Sequence, residues 1–89
     1  MNSDEWDFLN DVKDAISDWN YSITDVYHED GEFCIDVTFD DTDEWAENSD
    51  DIWNSLCEVC DDWGAGLDSD CNNYYIAIDM DDDDEEDNY

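Results

Sequence analysis

The fold rests on one stretch in which apolar and more polar side chains alternate strictly, Phe33-Cys34-Ile35-Asp36-Val37-Thr38-Phe39. Successive side chains of a β-strand point to opposite faces, so the four apolar side chains share one face and the three intervening ones share the other. The turn-forming sequence at residues 29–32, Glu-Asp-Gly-Glu, joins this strand to an earlier predicted strand at residues 22–28. The predicted hairpin therefore has one apolar face, which needs a covering layer.

Two amphipathic helices are predicted to supply that layer. The first covers residues 3–20 with Ser3 as its N-cap, and the second begins near Thr42, its N-cap, and ends at Gly64 in a left-handed C-cap. Apolar side chains recur on one face of each helix. They are Phe8, Leu9, Val12, Ala15, Ile16 and Trp19 in the first helix, and Trp45, Ile52, Trp53, Leu56, Val59, Cys60 and Trp63 in the second.

A third strand is predicted at residues 73–80, after a loop at residues 64–72. Its alternation places Tyr74, Ile76, Ile78 and Met80 toward the core. The order α-β-β-α-β predicts an α+β fold, a small single domain whose antiparallel sheet carries both helices on one face. We assign residues 1–80 to this domain and residues 81–89 to an acidic, solvated C-terminal tail.

The charge of the chain is extreme. A single lysine, Lys13, stands against 31 Asp and Glu residues, which gives a formal net charge of −30. Such a field attracts basic proteins and repels nucleic acid and anionic membranes. High charge is also typical of disorder, but five Trp, five Tyr and three Phe favour a folded domain. We see no signal-peptide pattern and no apolar run of about 20 residues, so we expect a cytoplasmic protein.

The acidic residues of both helices form stripes. Spacings of three and four residues set successive carboxylates about 4.5–6 Å apart along a helix axis, and duplex DNA carries one charge per about 1.7 Å of its axis. Ordinary surfaces mix both signs of charge, whereas this one nearly excludes cations. The predicted partner-binding residues are Asp4, Asp7, Asp11, Asp14, Asp18, Asp43, Glu44, Glu47, Asp50, Asp51, Glu58, Asp61 and Asp62.

The four cysteines raise the alternatives of a zinc site, a redox pair or a disulfide. Cys57 and Cys60 have the C-x₂-C spacing of zinc ligands, but Cys34 and Cys71 are isolated, whereas a zinc ribbon needs a second close pair. A redox pair needs cationic neighbours or a helix N-terminus, and Cys57 and Cys60 fall late in an acidic helix. We therefore predict inert, mostly buried thiols, with no metal and no cofactor.

No residue pattern indicates catalysis. Residues 68–79 partly follow the calcium-loop pattern, but Asn73 replaces its glycine, Asp79 replaces its bidentate glutamate, and a strand follows. His28 is the single histidine, with no nucleophile nearby in sequence, and is predicted to be a surface residue at a strand end. No two carboxylates are marked as having different environments, as acid–base catalysis requires. We expect that the chain is not an enzyme.

The acidic helical stripes and the near absence of cations resemble the DNA-mimic inhibitors of bacteriophages and mobile elements. That class includes anti-restriction proteins, uracil-DNA glycosylase inhibitors and anti-CRISPR proteins, which have unrelated folds. The likeness covers the whole chain and is one of composition. It implies that carboxylates replace phosphates in the nucleic-acid-binding site of a basic host protein, in the host cytoplasm and without chemistry of their own.

Several alternatives remain open at the level of sequence. An acidic chaperone or assembly factor for a basic protein uses the same electrostatics, and a halophilic protein carries such charge for solubility. Exposed aromatic side chains either anchor a partner or complete the core of a small domain. The candidates for this role are Tyr21, Tyr27, Trp53 and Tyr75. The oligomeric state is open between a monomer and a dimer.

Overall fold

A computed structural model describes residues 3–79 of the chain, and the predicted tail at residues 81–89, like Met80, lies outside the described residues. The class is α+β, as the sequence predicts, with the helices and strands in the order α-β-β-α-β-β. The elements are α1 (Ser3–Ala15), β1 (Tyr21–Glu29), β2 (Glu32–Phe39), α2 (Thr42–Trp63), β3 (Gly66–Asp70) and β4 (Asn73–Asp79).

The strands form one antiparallel sheet in the order β1-β2-β4-β3. Asp30 and Gly31 connect β1 to β2 and have φ angles of 53° and 82°. A two-residue turn with positive φ at both positions matches the right-handed twist of the flanking strands. The predicted hairpin is therefore confirmed, and β2 lies inside the sheet between β1 and β4.

The predicted loop at residues 64–72 is wrong, because it contains the edge strand β3. Of its five residues, only Leu67 is a large apolar residue, and the sequence therefore shows no alternation there. β3 pairs with β4 from Gly66 opposite Ala77 to Asp70 opposite Asn73. β3 is therefore defined by its backbone hydrogen bonds to the inner strand β4, whereas its side chains show no pattern that predicts a strand.

The first helix is shorter than predicted. α1 ends at Ala15 instead of residue 20, and Ser3 is its first helical residue. Beyond Ala15 the backbone bonds join residues three apart, from the Ile16 amide to the Lys13 carbonyl (3.3 Å) and from the Trp19 amide to the Ile16 carbonyl (3.1 Å). These tighter turns keep Ile16 buried while the chain reverses into β1.

The second helix has the predicted extent. Its N-cap, however, is Asp41 and not Thr42: Oδ1 of Asp41 accepts a hydrogen bond from the Glu44 amide at 3.1 Å. Gly64 closes the C-terminus in the left-handed conformation, with φ 74°. That conformation strains residues with a side chain, which explains the glycine at this position.

A single apolar core lies between the sheet and the two helices. Both helices pack on the same sheet face, because their buried side chains share one cluster with the inward side chains of β2 and β4. Each buried Phe, Ile, Leu or Val stabilises the fold by about 1.5–3 kcal/mol. The cluster comprises Phe8, Leu9, Val12, Ile16, Phe33, Ile35, Val37, Phe39, Ile52, Leu56, Cys60, Tyr74, Ile76 and Ile78.

Trp53 departs from the predicted apolar face of α2, since 39% of its surface is exposed. Its ring lies 6.4 Å from that of Tyr74, at the margin of the core. In the part of the chain that the structure describes, neither helix has the length and hydropathy needed to cross a bilayer.

Candidate functional site

The acidic stripe of α1 lies on its solvent side. Asp4, Asp7 and Asp14 are exposed on the helix, while the core-facing side chains point to the sheet. Asp18 is exposed too, but it follows the end of α1 and lies in the turn before β1. The predicted stripe is therefore helical through Asp14, and Asp18 extends it only as part of that turn.

One member of the α1 stripe is used inside the protein. The indole Nε1 of Trp63, at the end of α2, donates a hydrogen bond to Oδ2 of Asp11 at 2.8 Å. The Trp63 ring also packs edge-on against Phe8, with ring centroids 5.3 Å apart. Asp11 therefore fixes α1 beside α2, and its carboxylate is less available to a partner than those of its neighbours.

The acidic face of α2 is larger than that of α1. Its exposed members are Asp43, Glu47, Asp50, Asp51, Glu58, Asp61 and Asp62. Glu44 is half-buried, and its Oε1 accepts hydrogen bonds from the Asn20 backbone amide at 2.8 Å and from Asn20 Nδ2 at 3.5 Å. Glu44 thus joins the start of α2 to the chain entering β1, a role that the sequence does not indicate.

Almost no internal cation neutralises these acidic faces. Within residues 3–79 the single contact between a basic side chain and a carboxylate joins His28 to the buried Glu5, so it involves none of the exposed carboxylates. Lys13 takes part in no ion pair among the described residues. Apart from Asp11, the exposed carboxylates of the two helices therefore remain available to cationic side chains of another molecule.

Glu5 and His28 depart from the sequence-based expectations. Glu5 is 5% exposed, and its Oε2 lies 2.6 Å from Nε2 of His28, whose ring packs on Phe33 with centroids 5.4 Å apart. His28 lies at the surface near the end of β1, as predicted, but it also contacts a buried carboxylate. The pair ties the first turn of α1 to the sheet, since a buried carboxylate requires hydrogen-bond partners.

The cysteines are less uniformly buried than predicted: Cys34 and Cys60 are buried, Cys57 is half-buried and Cys71 is exposed. Burial, with a smaller contribution from neighbouring Cys57, raises the pKa of the Cys60 thiol to about 11. A thiol that remains protonated at neutral pH is a poor nucleophile and metal ligand. Among the described residues, no group of three or more Cys, His, Asp or Glu side chains is arranged to hold a metal ion.

The calcium-like segment at residues 68–79 forms the β3–β4 hairpin. Asp68 lies opposite Tyr75, and Cys71 occupies the turn with φ 53°. A calcium loop wraps its ligands around one ion, whereas this segment extends along two paired strands. The geometry is therefore that of a hairpin, and β4, which corresponds to the strand predicted at residues 73–80, lies inside the motif.

A second acidic surface was missed by the sequence-based reasoning. It lies on the outer face of the sheet, where Asp25 and Asp36 are directly opposite each other. Partial burial, and then the charge of Asp25, raises the pKa of Asp36. The charge of Asp36 is in turn the main cause that raises the pKa of Tyr27. Finding this surface requires the strand register, since its residues come from separate strands.

The exposed aromatic side chains differ from the predicted set in two places. Tyr27, Trp53 and Tyr75 are exposed as proposed, and Tyr21 is half-buried. Within residues 3–79 Trp6 is the most exposed of the large apolar residues, at 49%. Trp53 lines a groove between α2 and β3, together with Cys57 and Leu67.

A comparison of the sequence with protein-family models and with curated proteins gives no match.

Proposed function

We propose that this chain is a DNA-mimic inhibitor that occupies the nucleic-acid-binding site of a basic host protein. The targets in this proposal are defence or repair proteins, namely restriction enzymes, CRISPR effectors, nucleases or glycosylases. Carboxylates take the places of phosphates, and the chain performs no catalysis and uses no cofactor. The site of action is the cytoplasm of the host cell.

The observation that carries this proposal is the arrangement of two acidic helices side by side on one face of the sheet. The axes of packed helices are about 8–10 Å apart. This spacing is larger than the width of the minor groove of DNA, about 6 Å, and smaller than that of the major groove, about 12 Å. Two adjacent rows of carboxylates on this scale are compatible with a channel that binds two phosphate rows. The contact between Trp63 and Asp11 supports a fixed spacing of the two helices.

Many weak contacts must add up in this mechanism. An exposed ion pair contributes only about 0.2–1 kcal/mol, so tight binding needs several carboxylates to meet Arg and Lys side chains at once. Long-range attraction makes association fast and sensitive to salt. Trp53 supplies an apolar contact beside the acidic face of α2. We expect this contact to preserve part of the affinity for the partner at salt concentrations at which DNA dissociates from it.

The proposal requires a protein partner instead of nucleic acid or a membrane. A net charge of −30 repels the phosphates of DNA, RNA and anionic lipids. A basic channel, by contrast, supplies the cations that the described part of this chain lacks around its exposed carboxylates. The same charge therefore excludes one class of partner and favours the other.

The proposal is tested by neutralising one acidic face and comparing the result with a control variant of the same total charge. The partner is first captured from a bacterial lysate with the wild-type chain. Its affinity is then measured for a variant with Glu47→Gln, Asp50→Asn, Asp51→Asn and Glu58→Gln on α2. A matched control changes the total charge by the same four units at turns and strand ends, away from both helices and from Asp25 and Asp36, through Asp30→Asn, Asp40→Asn and Asp70→Lys.

We expect the α2 variant to lose about tenfold or more in affinity relative to the matched control, because four direct pairs are lost instead of a general field. The slope of affinity against salt concentration is also expected to fall for the α2 variant. Equal losses in the two variants would contradict occupation of the partner's site by the helical face.

A further inference from the structure

We propose that the outer face of the sheet is a second binding site, which holds an arginine-bearing extended segment of a basic partner protein. The site is a trough that crosses the strands on the side away from the helices. It shares no residue with the acidic helical faces, and it does not depend on the function proposed for them.

The strand register forms the floor of the trough. Tyr27 lies opposite Cys34, Cys34 opposite Ala77, and Ala77 opposite Gly66, so these four residues make one row across all four strands. Neighbouring strands are about 4.8 Å apart, which gives a row of roughly 14 Å. Three of the four residues are small, and Tyr27 closes one end.

Larger polar side chains line both long sides of this floor. On one side the next outward row contains Asp25, Asp36, Tyr75 and Asp68, which are again aligned by the register. On the other side Glu29 lies opposite Glu32. A groove lined by residues of these rows opens to solvent. The side walls are therefore mostly carboxylates, with Tyr75 among them.

No element of the described chain covers this face, because α1 and α2 both pack on the opposite one. The two tyrosines that border the trough are well exposed, Tyr27 at 37% and Tyr75 at 41%. Neither basic side chain of residues 3–79, Lys13 or His28, is placed to neutralise it. Lys13 belongs to α1, and His28 points to the inner face, where it pairs with Glu5.

The chemistry of the trough favours arginine as its occupant. A guanidinium group is planar, stacks on tyrosine rings and binds carboxylates with two parallel hydrogen bonds. Its aliphatic stem fits a floor of small, weakly polar side chains. The ammonium group of lysine is more strongly hydrated and cannot stack in this way. An extended segment suits a shallow groove without deep pockets.

The electrostatics of the bare trough agree with a cationic ligand. Burial and then the charge of Glu32 raise the pKa of the Cys34 thiol on the floor. The charge of Asp36 raises the pKa of Tyr27 beside it. Both shifts include the charge of a neighbouring carboxylate among their causes, so the trough favours a cation over a further negative charge. The carboxylates of the walls attract a bound guanidinium directly.

The test uses a labelled nine-residue peptide of alternating serine and arginine, and a counterpart in which neutral citrulline replaces each arginine. Binding to the full chain is followed by fluorescence anisotropy and by amide chemical shifts in NMR. We expect the arginine peptide to shift the amides of Cys34, Gly66 and Ala77. We expect the citrulline peptide to bind at least about tenfold more weakly, since it keeps the shape but loses the charge.

Two variants separate the trough from the helices. Gly66→Ile fills the floor: a Cβ at Gly66 meets only the Ala77 carbonyl oxygen, at 3.8 Å, so the backbone leaves room for the first atom of a side chain there. Asp36→Asn with Asp68→Asn removes two charges from one wall, and Asp50→Asn with Asp51→Asn removes two from α2 as the matched control. We expect about tenfold weaker peptide binding for Gly66→Ile and for the wall variant, and little change for the control.

Amide shifts confined to α1 and α2 would overturn the proposal. So would equal affinities for the arginine and citrulline peptides, or equal losses in the wall variant and the α2 control. Native chemical shifts for the core amides of each free variant establish that it is folded, so a loss of binding in a folded Gly66→Ile chain supports the trough directly.

Discussion

The indole Nε1 of Trp63 and Oδ2 of Asp11 are 2.8 Å apart, and this hydrogen bond joins the last residue of α2 to the middle of α1. Each helix is held to the sheet by its own apolar side chains, but this bond is a direct polar link between the two acidic helices. Asp11, one carboxylate of the α1 stripe, is used for this bond, and the bond fixes the positions of the remaining carboxylates of the stripe relative to α2. The geometry of the acidic surface therefore depends on an aromatic residue.

Replacement of Trp63 by Phe tests this dependence. The ring contact with Phe8 is largely kept, while the donor to Asp11 is lost. We expect the free energy of unfolding to fall by about 1–2 kcal/mol, since hydrogen bonds to charged groups are the stronger ones. Urea denaturation measures the change. Asp11→Asn serves as the control: its side-chain carbonyl still accepts the bond, so a loss as large as that of Trp63→Phe would contradict this interpretation.

The sequence predicts well those parts of the fold in which pattern and burial agree. Alternation in β2 gives both its extent and its buried face, and Gly64 marks the end of α2 through its left-handed conformation. The end of α1 is missed because Ile16 and Trp19 continue the apolar period through turns that are no longer α-helical. Side-chain period alone does not separate these two backbone geometries.

The candidate site is predicted in part, for a related reason. The outward position of the helical carboxylates follows from a local period, which the sequence contains. The internal roles of Asp11 and Glu44 depend on contacts with Trp63 and Asn20, which are distant along the chain. The trough on the sheet depends on the register of four strands, one of which, β3, has no sequence pattern.

The contact between Glu5 and His28 predicts that removal of the histidine side chain destabilises the fold. His28→Ala removes one hydrogen-bond partner of the buried Glu5 carboxylate, at 2.6 Å, and we expect a loss of about 1–3 kcal/mol in the free energy of unfolding, because bonds to charged groups are the stronger ones. A double-mutant cycle with Glu5→Gln isolates the coupling between the two side chains. A coupling energy of zero within error would show that the contact does not stabilise the fold.

Burial of Cys60 predicts a loss of stability at alkaline pH. Its folded-state pKa is raised to about 11, against about 8.5 in an unfolded chain. The stabilisation is fully present below the unfolded value and is lost as pH rises toward the folded one. We expect the free energy of unfolding to be lower by roughly 1–2 kcal/mol at pH 10 because of this loss.

The measurement is the slope of unfolding free energy against pH between about 8.5 and 11. Cys60→Ala should flatten that slope, even though it also lowers stability at every pH by opening a cavity. Cys71→Ala, at an exposed position in the β3–β4 turn, should leave the slope unchanged. Identical slopes in all three proteins would rule out the buried thiol as the source.

The raised pKa of Asp36 predicts a change of stability with pH at the acid end of the range. Its folded pKa is raised by burial and by Asp25, so the folded state binds more protons than the unfolded state. The resulting stabilisation is present at acid pH, below about 3.9, and is lost as pH rises through the raised value. Asp36→Asn removes this loss, and it should therefore be more stable than the wild type at pH 7.

That gain should shrink at pH 3.5, because a protonated Asp36 avoids both the burial of its charge and the repulsion from Asp25. High salt should reduce it only in part, since salt screens the repulsion and not the burial. Thermal unfolding at both pH values measures it, with the exposed Asp50→Asn on α2 as the control of equal charge. A gain for Asp36→Asn that is no larger than the control's at pH 7, or that does not change with pH, would contradict the assignment.

Competition with DNA tests the central claim most directly. Labelled duplex DNA is bound to the captured partner, and this chain is added at about 0.1 M salt, where the Debye length is about 10 Å. The mimic mechanism predicts complete displacement of the DNA as the partner saturates with the chain, and weaker displacement by the α2 variant with Glu47, Asp50, Asp51 and Glu58 neutralised. Simultaneous binding of DNA and the chain at saturation would contradict it.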